Sequence, residues 1–102
     1  MPAIHFIEKI NAVRKIPGGT AVWETGDWTL AEATAAKLVG GDLYVHTGQK
    51  VPSHFGGKIL SYRIIDGPAE NEGKVIFRIQ FSPAYRGVSQ FVGWGNEKAI
   101  SW

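Results

Sequence analysis

A chain of 102 residues is long enough for one domain with a single core and too short for two, and at 44% hydrophobic and 20% charged residues it carries too much apolar surface to stay disordered. The absence of cysteine excludes a disulfide framework and a thiolate metal site, and no apolar run approaches the roughly 20 residues needed to span a bilayer. A formal net charge of +2 is too small to drive strong nucleic-acid binding by itself.

The opening Met1-Pro2-Ala3-Ile4-His5 lacks the basic and apolar regions of a signal peptide, so a cytoplasmic protein with no membrane contact is expected. Ile4-His5-Phe6-Ile7 is rich in strand formers and is read as a strand, although Ala3, Phe6, Ile7, Ile10 and Val13 also fit one helical face. Pro17-Gly18-Gly19 predicts a turn that pairs Val13 to Ile16 with a strand over Thr20 to Thr25, in which Trp23 is expected to be buried. Trp28 falls just after, in a predicted loop.

Thr29-Leu30-Ala31-Glu32 fits a capping box, and Ala31, Ala35 and Leu38 form an apolar stripe that Gly40-Gly41 terminates. The spacing predicts a helix from about Leu30 to Val39. A short strand over Leu43 to Thr47 follows, then a polar loop. Lys58 to Ile65 reads as a strand with Leu60, Tyr62 and Ile64 on one face and Ile59, Ser61, Arg63 and Ile65 on the other. Val75, Phe77, Ile79 and Phe81 alternate through Lys74 to Ser82, the period-two pattern of a half-buried strand. The Asp66 to Gly73 loop between these strands predicts an antiparallel hairpin whose outer face carries Ser61, Arg63, Arg78 and Gln80. Glu97 to Trp102 is expected to be a last strand. The expected class is α+β, mainly β: a small curled sheet or barrel of about six strands with one helix, in a single domain spanning residues 1–102.

Two of the three histidines lie between Gly41 and Ile59, with Tyr44, Ser53 and the Gly56-Gly57 pair, which marks this stretch as the candidate site. His5, His46 and His54 offer imidazoles to a metal such as zinc, but their spacing matches no tight ligand motif and no metal is expected. Ser53-His54 with Asp42 or Asp66 suggests a hydrolase triad, yet adjacent residues on an extended chain point apart and no nucleophile elbow is present. The residues point away from an enzyme, and no cofactor is expected. Gly56-Gly57 fits either a bulge or a close backbone approach. Trp94, between two glycines, is the tryptophan best placed for stacking on a planar ligand.

The expected ligand contacts are therefore Tyr44, His46, Ser53, His54, Phe55 and Trp94. Acid-free segments supply Lys58, Arg63 and Arg78 as phosphate or polymer contacts. The expected function is a non-enzymatic binding module for a nucleobase, nucleic acid or other planar small molecule. The alternative is a self-associating interaction or accessory protein of bacterial mobile elements with no small-molecule site, in which case a homo-oligomer is expected.

Gly41-Asp42-Leu43-Tyr44-Val45-His46-Thr47, followed by Pro52 and Gly57-Lys58-Ile59, resembles the Gly-Asp turn and following strands of PUA-like domains, especially of the EVE type. The resemblance implies a curled barrel whose cleft recognises a base by aromatic stacking and edge hydrogen bonds. Pro52-Ser53-His54-Phe55-Gly56-Gly57 and Trp94-Gly95-Asn96-Glu97-Lys98 also look like parts of short bacterial proteins of unassigned function.

Overall fold

The computed structural model describes residues 2–7, 13–16, 21–65, 73–90, 93–95 and 98–101. Its elements run β1 (Ala3–Ile7), β2 (Val13–Lys15), β3 (Val22–Trp28), α1 (Glu32–Leu38), β4 (Asp42–His46), β5 (Phe55–Ile64), β6 (Val75–Phe81), a 3-10 turn (Pro83–Tyr85) and β7 (Lys98–Ser101). The class is α+β, mainly β, with seven strands in one sheet of order β2-β3-β6-β5-β4-β1-β7. The predicted turn at Pro17-Gly18-Gly19, the loop over 66–72 and the terminal Trp102 lie outside the described residues.

Alternation dictates the sheet's two faces. Ile4 and Phe6 of β1, Leu43 and Val45 of β4, Ile59 of β5, and Val75, Phe77 and Ile79 of β6 form the buried core, completed by Ala35 and Leu38 of α1. Among the described strands only β1 and β4 pair in parallel, which the connection through β2, β3 and α1 permits; the other described pairs are antiparallel.

One contact measures how far the sheet curls. Phe6 of β1 stacks on Trp28 of β3 with ring centroids 3.9 Å apart and planes 9° apart. Three strands separate β1 from β3, so a flat sheet would hold these backbones roughly 19 Å apart. At the same end of the sheet Lys98 Nζ of β7 donates to the Thr29 carbonyl, 3.0 Å. The sheet is rolled nearly onto itself, but β2 and β7 stay at its edges and it is not a closed barrel. Trp28, expected in a loop, is thereby buried, whereas Trp23 is half-buried, edge-on to Phe55.

The helix starts later than its sequence suggests. Its N-cap is Ala31, and no side chain caps it. The predicted capping box is not made, because Thr29 stays in the extended chain leaving β3 and Glu32 accepts instead from the Tyr62 hydroxyl, 3.1 Å. Its stop is as expected: Gly40 adopts φ +89°, and Gly41 N–H bonds the Leu38 carbonyl.

Strand β5 changes face midway. Its register with β6 shifts between Ile59 and Ser61, so Ile59, 1% exposed, and Tyr62, three positions on, both face the core, while Leu60 between them is 43% exposed. Strict alternation placed Leu60 with Tyr62 and Ile64; the bulge puts Ile59 and Tyr62 on the core side instead. Ser61 and Arg63 remain on the outer face with Arg78, as expected, and Gln80 lies opposite Lys58.

Candidate functional site

The outer face of β1, β4 and β5 carries a cross-strand row set by register. Trp94 bridges to Ala99 of β7, Ala99 pairs with His5 of β1, His5 with Tyr44 of β4, and Tyr44 with Gly56 of β5. His46 follows Tyr44 by two residues and shares its face. The small residues Ala99 and Gly56 leave room for aromatic rings beside them. A Cβ on Gly56 would collide with the Leu43 carbonyl and stand 3.0 Å from Tyr85 Cβ. The glycine pair therefore serves close approach by the chain's own backbone and by Tyr85, and the bulge lies farther along β5.

Rings fill this row. His5 stacks on Tyr44, centroids 4.7 Å apart; Trp94 meets His46 edge-on at 5.5 Å and His5 at 6.2 Å; Tyr85 tilts against Tyr44 at 5.2 Å. Tyr44, Tyr85 and Trp94 are each half-buried.

Beneath them lies a histidine pair. His5 Nδ1 and His46 Nε2 are 2.8 Å apart, and His46 Nδ1 is 2.8 Å from the Val51 carbonyl. His46 is fully buried, with its ring hydrogen-bonded to a backbone carbonyl. Burial, and then the neighbouring His46, push the His5 imidazole down from 6.5 to about 4. No group of three or more metal-ligating side chains occurs among the described residues, and the short contact between His5 and His46 leaves no space for a cation between those nitrogens.

Ser53 locks two loops over the face. Its hydroxyl donates to the Tyr85 carbonyl at 2.6 Å and accepts from Val88 N–H at 3.0 Å, and its backbone bonds Val88 and Gly87. Its oxygen is committed to backbone groups and not to His54, so the two do not form a nucleophile–base pair. The Tyr85 hydroxyl donates to Asp42 Oδ1 at 2.6 Å. Burial raises the Tyr85 hydroxyl, and the Asp42 hydrogen bond and charge raise it further. Tyr44 is raised by burial and by the Asp42 charge.

The structure thus brings together Tyr44, His46 and Trp94 and places Ser53 as their fastening. It does not bring the rest. Phe55, expected at a cleft, packs in the core against Phe81 and Trp23, because β5 begins there with its core face. His54 lies in an exposed position after Ser53, its carbonyl accepting from Arg86 Nε at 3.2 Å.

The expected cationic residues are exposed, yet two of them surround an acid. Arg63 and Arg78 both bond the Glu24 carboxylate, with their closest ion-pair distances at 3.3 Å. Burial pushes the Glu24 carboxyl up, but the hydrogen bonds and charges of Arg63 and Arg78 outweigh it and hold the group below its ordinary value. The acid-free run of sequence therefore does not make an acid-free surface. Lys58 is exposed on the same face.

Comparison with protein families, with curated proteins and with solved structures finds no match.

Tyr85 and His5 are not among the expected ligand contacts, His5 being weighed only as a metal ligand. Tyr85 carried no signal beyond its place in a Pro-containing turn. His5 had one: between Ile4 and Phe6 in a predicted strand, it had to face away from the core.

Proposed function

We propose that the protein is a small non-enzymatic binding module, a PUA-like domain of the EVE type, that recognises a nucleobase or similar planar ligand at the Tyr44–Tyr85–Trp94 face. The observation that carries the reading is the aromatic row itself: three half-buried rings lie around a buried histidine pair, offering stacking surface beside a polar edge. Lys58, with the solvent-facing sides of Arg63 and Arg78, supplies the contacts to phosphate. Because Glu24 already neutralises part of that charge, phosphate contacts are few and the stacking contacts carry more of the affinity. The reading assigns the protein to the bacterial cytoplasm, a reducing compartment compatible with a chain without cysteine.

The test is calorimetric titration with short single- and double-stranded oligonucleotides across a salt series. Binding that weakens moderately with salt and is lost in Trp94→Ala is expected. No binding to any of them at low salt contradicts the reading.

A second reading rests on β2, a three-residue strand at the sheet edge that no other strand flanks on its outer side among the described residues. Such an edge suits pairing with a second copy of the chain, as in a self-associating interaction protein. Light scattering after size exclusion decides it, a strictly monomeric chain counting against self-association.

A further inference from the structure

We infer that His5 Nε2 is a fixed hydrogen-bond acceptor that selects ligands presenting an N–H donor, an assignment that rests on the binding-module reading above. The argument follows the protons through the histidine pair. The Val51 carbonyl can only accept, so His46 Nδ1, 2.8 Å away, carries a hydrogen. A second proton on His46 would bury a full charge on a completely buried ring with no carboxylate against it among the described residues. His46 Nε2 is therefore a bare acceptor.

The hydrogen in the 2.8 Å contact between the two rings then comes from His5 Nδ1. One carbonyl thereby sets the tautomer of both rings, and His5 is left with its lone pair on Nε2. That nitrogen has no hydrogen-bond partner among the described residues, although His5 is only 4% exposed. Among the described residues no side-chain nitrogen or oxygen wholly without solvent contact lacks a partner, and His5 keeps 4% of its surface exposed. The ring cannot turn to hide it: Tyr44 stacks on one face, Trp94 stands against its edge, and Nδ1 is held by His46.

A nearly buried acceptor, locked in one tautomer and flanked by aromatic rings, is suited to the edge of a heteroaromatic ring. It accepts from a ring imino or exocyclic amino N–H while the neighbouring rings stack or wall the ligand. A ligand that puts an acceptor or a methyl group at the same place leaves the nitrogen unpaired and loses the contact.

The test has two parts. Nitrogen-15 NMR of the histidine side chains in the free protein near neutral pH reads the tautomers; the expected result is unprotonated Nε2 and protonated Nδ1 on His5, and a protonated Nε2 overturns the inference. Uridine and guanosine monophosphates are then titrated beside their N3-methyl and N1-methyl forms. Roughly ten- to hundredfold weaker binding of the methylated form, with the His5 Nε2 resonance moving only for the unmodified ligand, is the expected outcome. Equal affinity for both forms overturns the inference and leaves the binding-module reading standing, whereas no binding of any probe, oligonucleotides included, overturns both. His5→Asn, which keeps a donor toward His46 but removes the far acceptor, is expected to abolish the discrimination between the two forms; the methylated ligands provide the same test without a substitution.

Discussion

His5 and His46 share a hydrogen bond of 2.8 Å although 41 positions separate them in the chain. The parallel pairing of β1 with β4 makes the contact, since its register sets His5 beside Tyr44 and Ile7 beside His46 on one face. It is the polar centre of an otherwise aromatic row.

Acid should destabilise the protein in a defined window. His5 falls from 6.5 to about 4 on folding, so between these values the unfolded chain binds a proton that the folded chain refuses. Stability from this group is full above about pH 6.5 and declines as the pH falls toward 4, by up to about 3 kcal/mol. Urea unfolding midpoints from pH 7 to pH 4.5 check it. His5→Asn is expected to flatten the slope, and an unchanged slope would remove His5 as its source.

Ile59 precedes the bulge in β5 and faces the core, so its apolar neighbour Leu60 is turned to solvent. Ile59→Ala should cost about 2–5 kcal/mol, because Ile59 is buried in the core. Leu60→Ala should cost within about 0.5 kcal/mol, because Leu60 faces solvent. Chemical denaturation of both variants measures the pair, and equal losses would place the register shift elsewhere.

Glu24→Gln should weaken folding and tighten oligonucleotide binding together. The carboxylate holds two arginines whose side chains are 55% and 47% exposed, so solvent screening limits the loss to about 1 kcal/mol. Removing its charge leaves the face one unit more positive, and the salt dependence of binding should steepen. Thermal melts and a salt series read the two effects separately; a steeper salt slope without any change in melting would mean that the ion pairs add nothing to stability.

Gly56→Ala should lower stability by about 1–3 kcal/mol, since its methyl group would run into the Leu43 carbonyl and crowd Tyr85. Gly73→Ala, at an exposed position with open space but φ +83°, carries only the backbone strain. Comparing their denaturation midpoints separates crowding from backbone preference. A smaller loss at Gly56 than at Gly73 would count against the close approach.

Strand β6 was legible because Val75 to Phe81 carry the period-two pattern that local chemistry imposes on a half-buried strand, whereas Ile4 to Ile7 are strand formers that also fit one helical face. The bulge was not, because Ile59 and Leu60 are both apolar and alternation reads equally well in either phase. The capping box at Thr29 was locally well formed, but Thr29 stays extended and its carbonyl receives Lys98, 69 positions away, a contact made only once the sheet has curled. The same distance effect hid His5, whose partners Tyr44, His46 and Trp94 come from two other parts of the chain. Arg63 and Arg78 were correctly placed on one face, yet Glu24, from a strand on the far side of β6, could not be paired with them before the topology was known.

The most direct test of the central claim is an NMR titration of the labelled protein with a short single-stranded oligonucleotide at low salt. The account predicts that the largest shifts fall on the Trp94 indole and the Tyr44, Tyr85 and His5 rings, with smaller ones at Lys58 and Arg78. Shifts confined to exposed lysines and arginines, or no shifts at all, would contradict it.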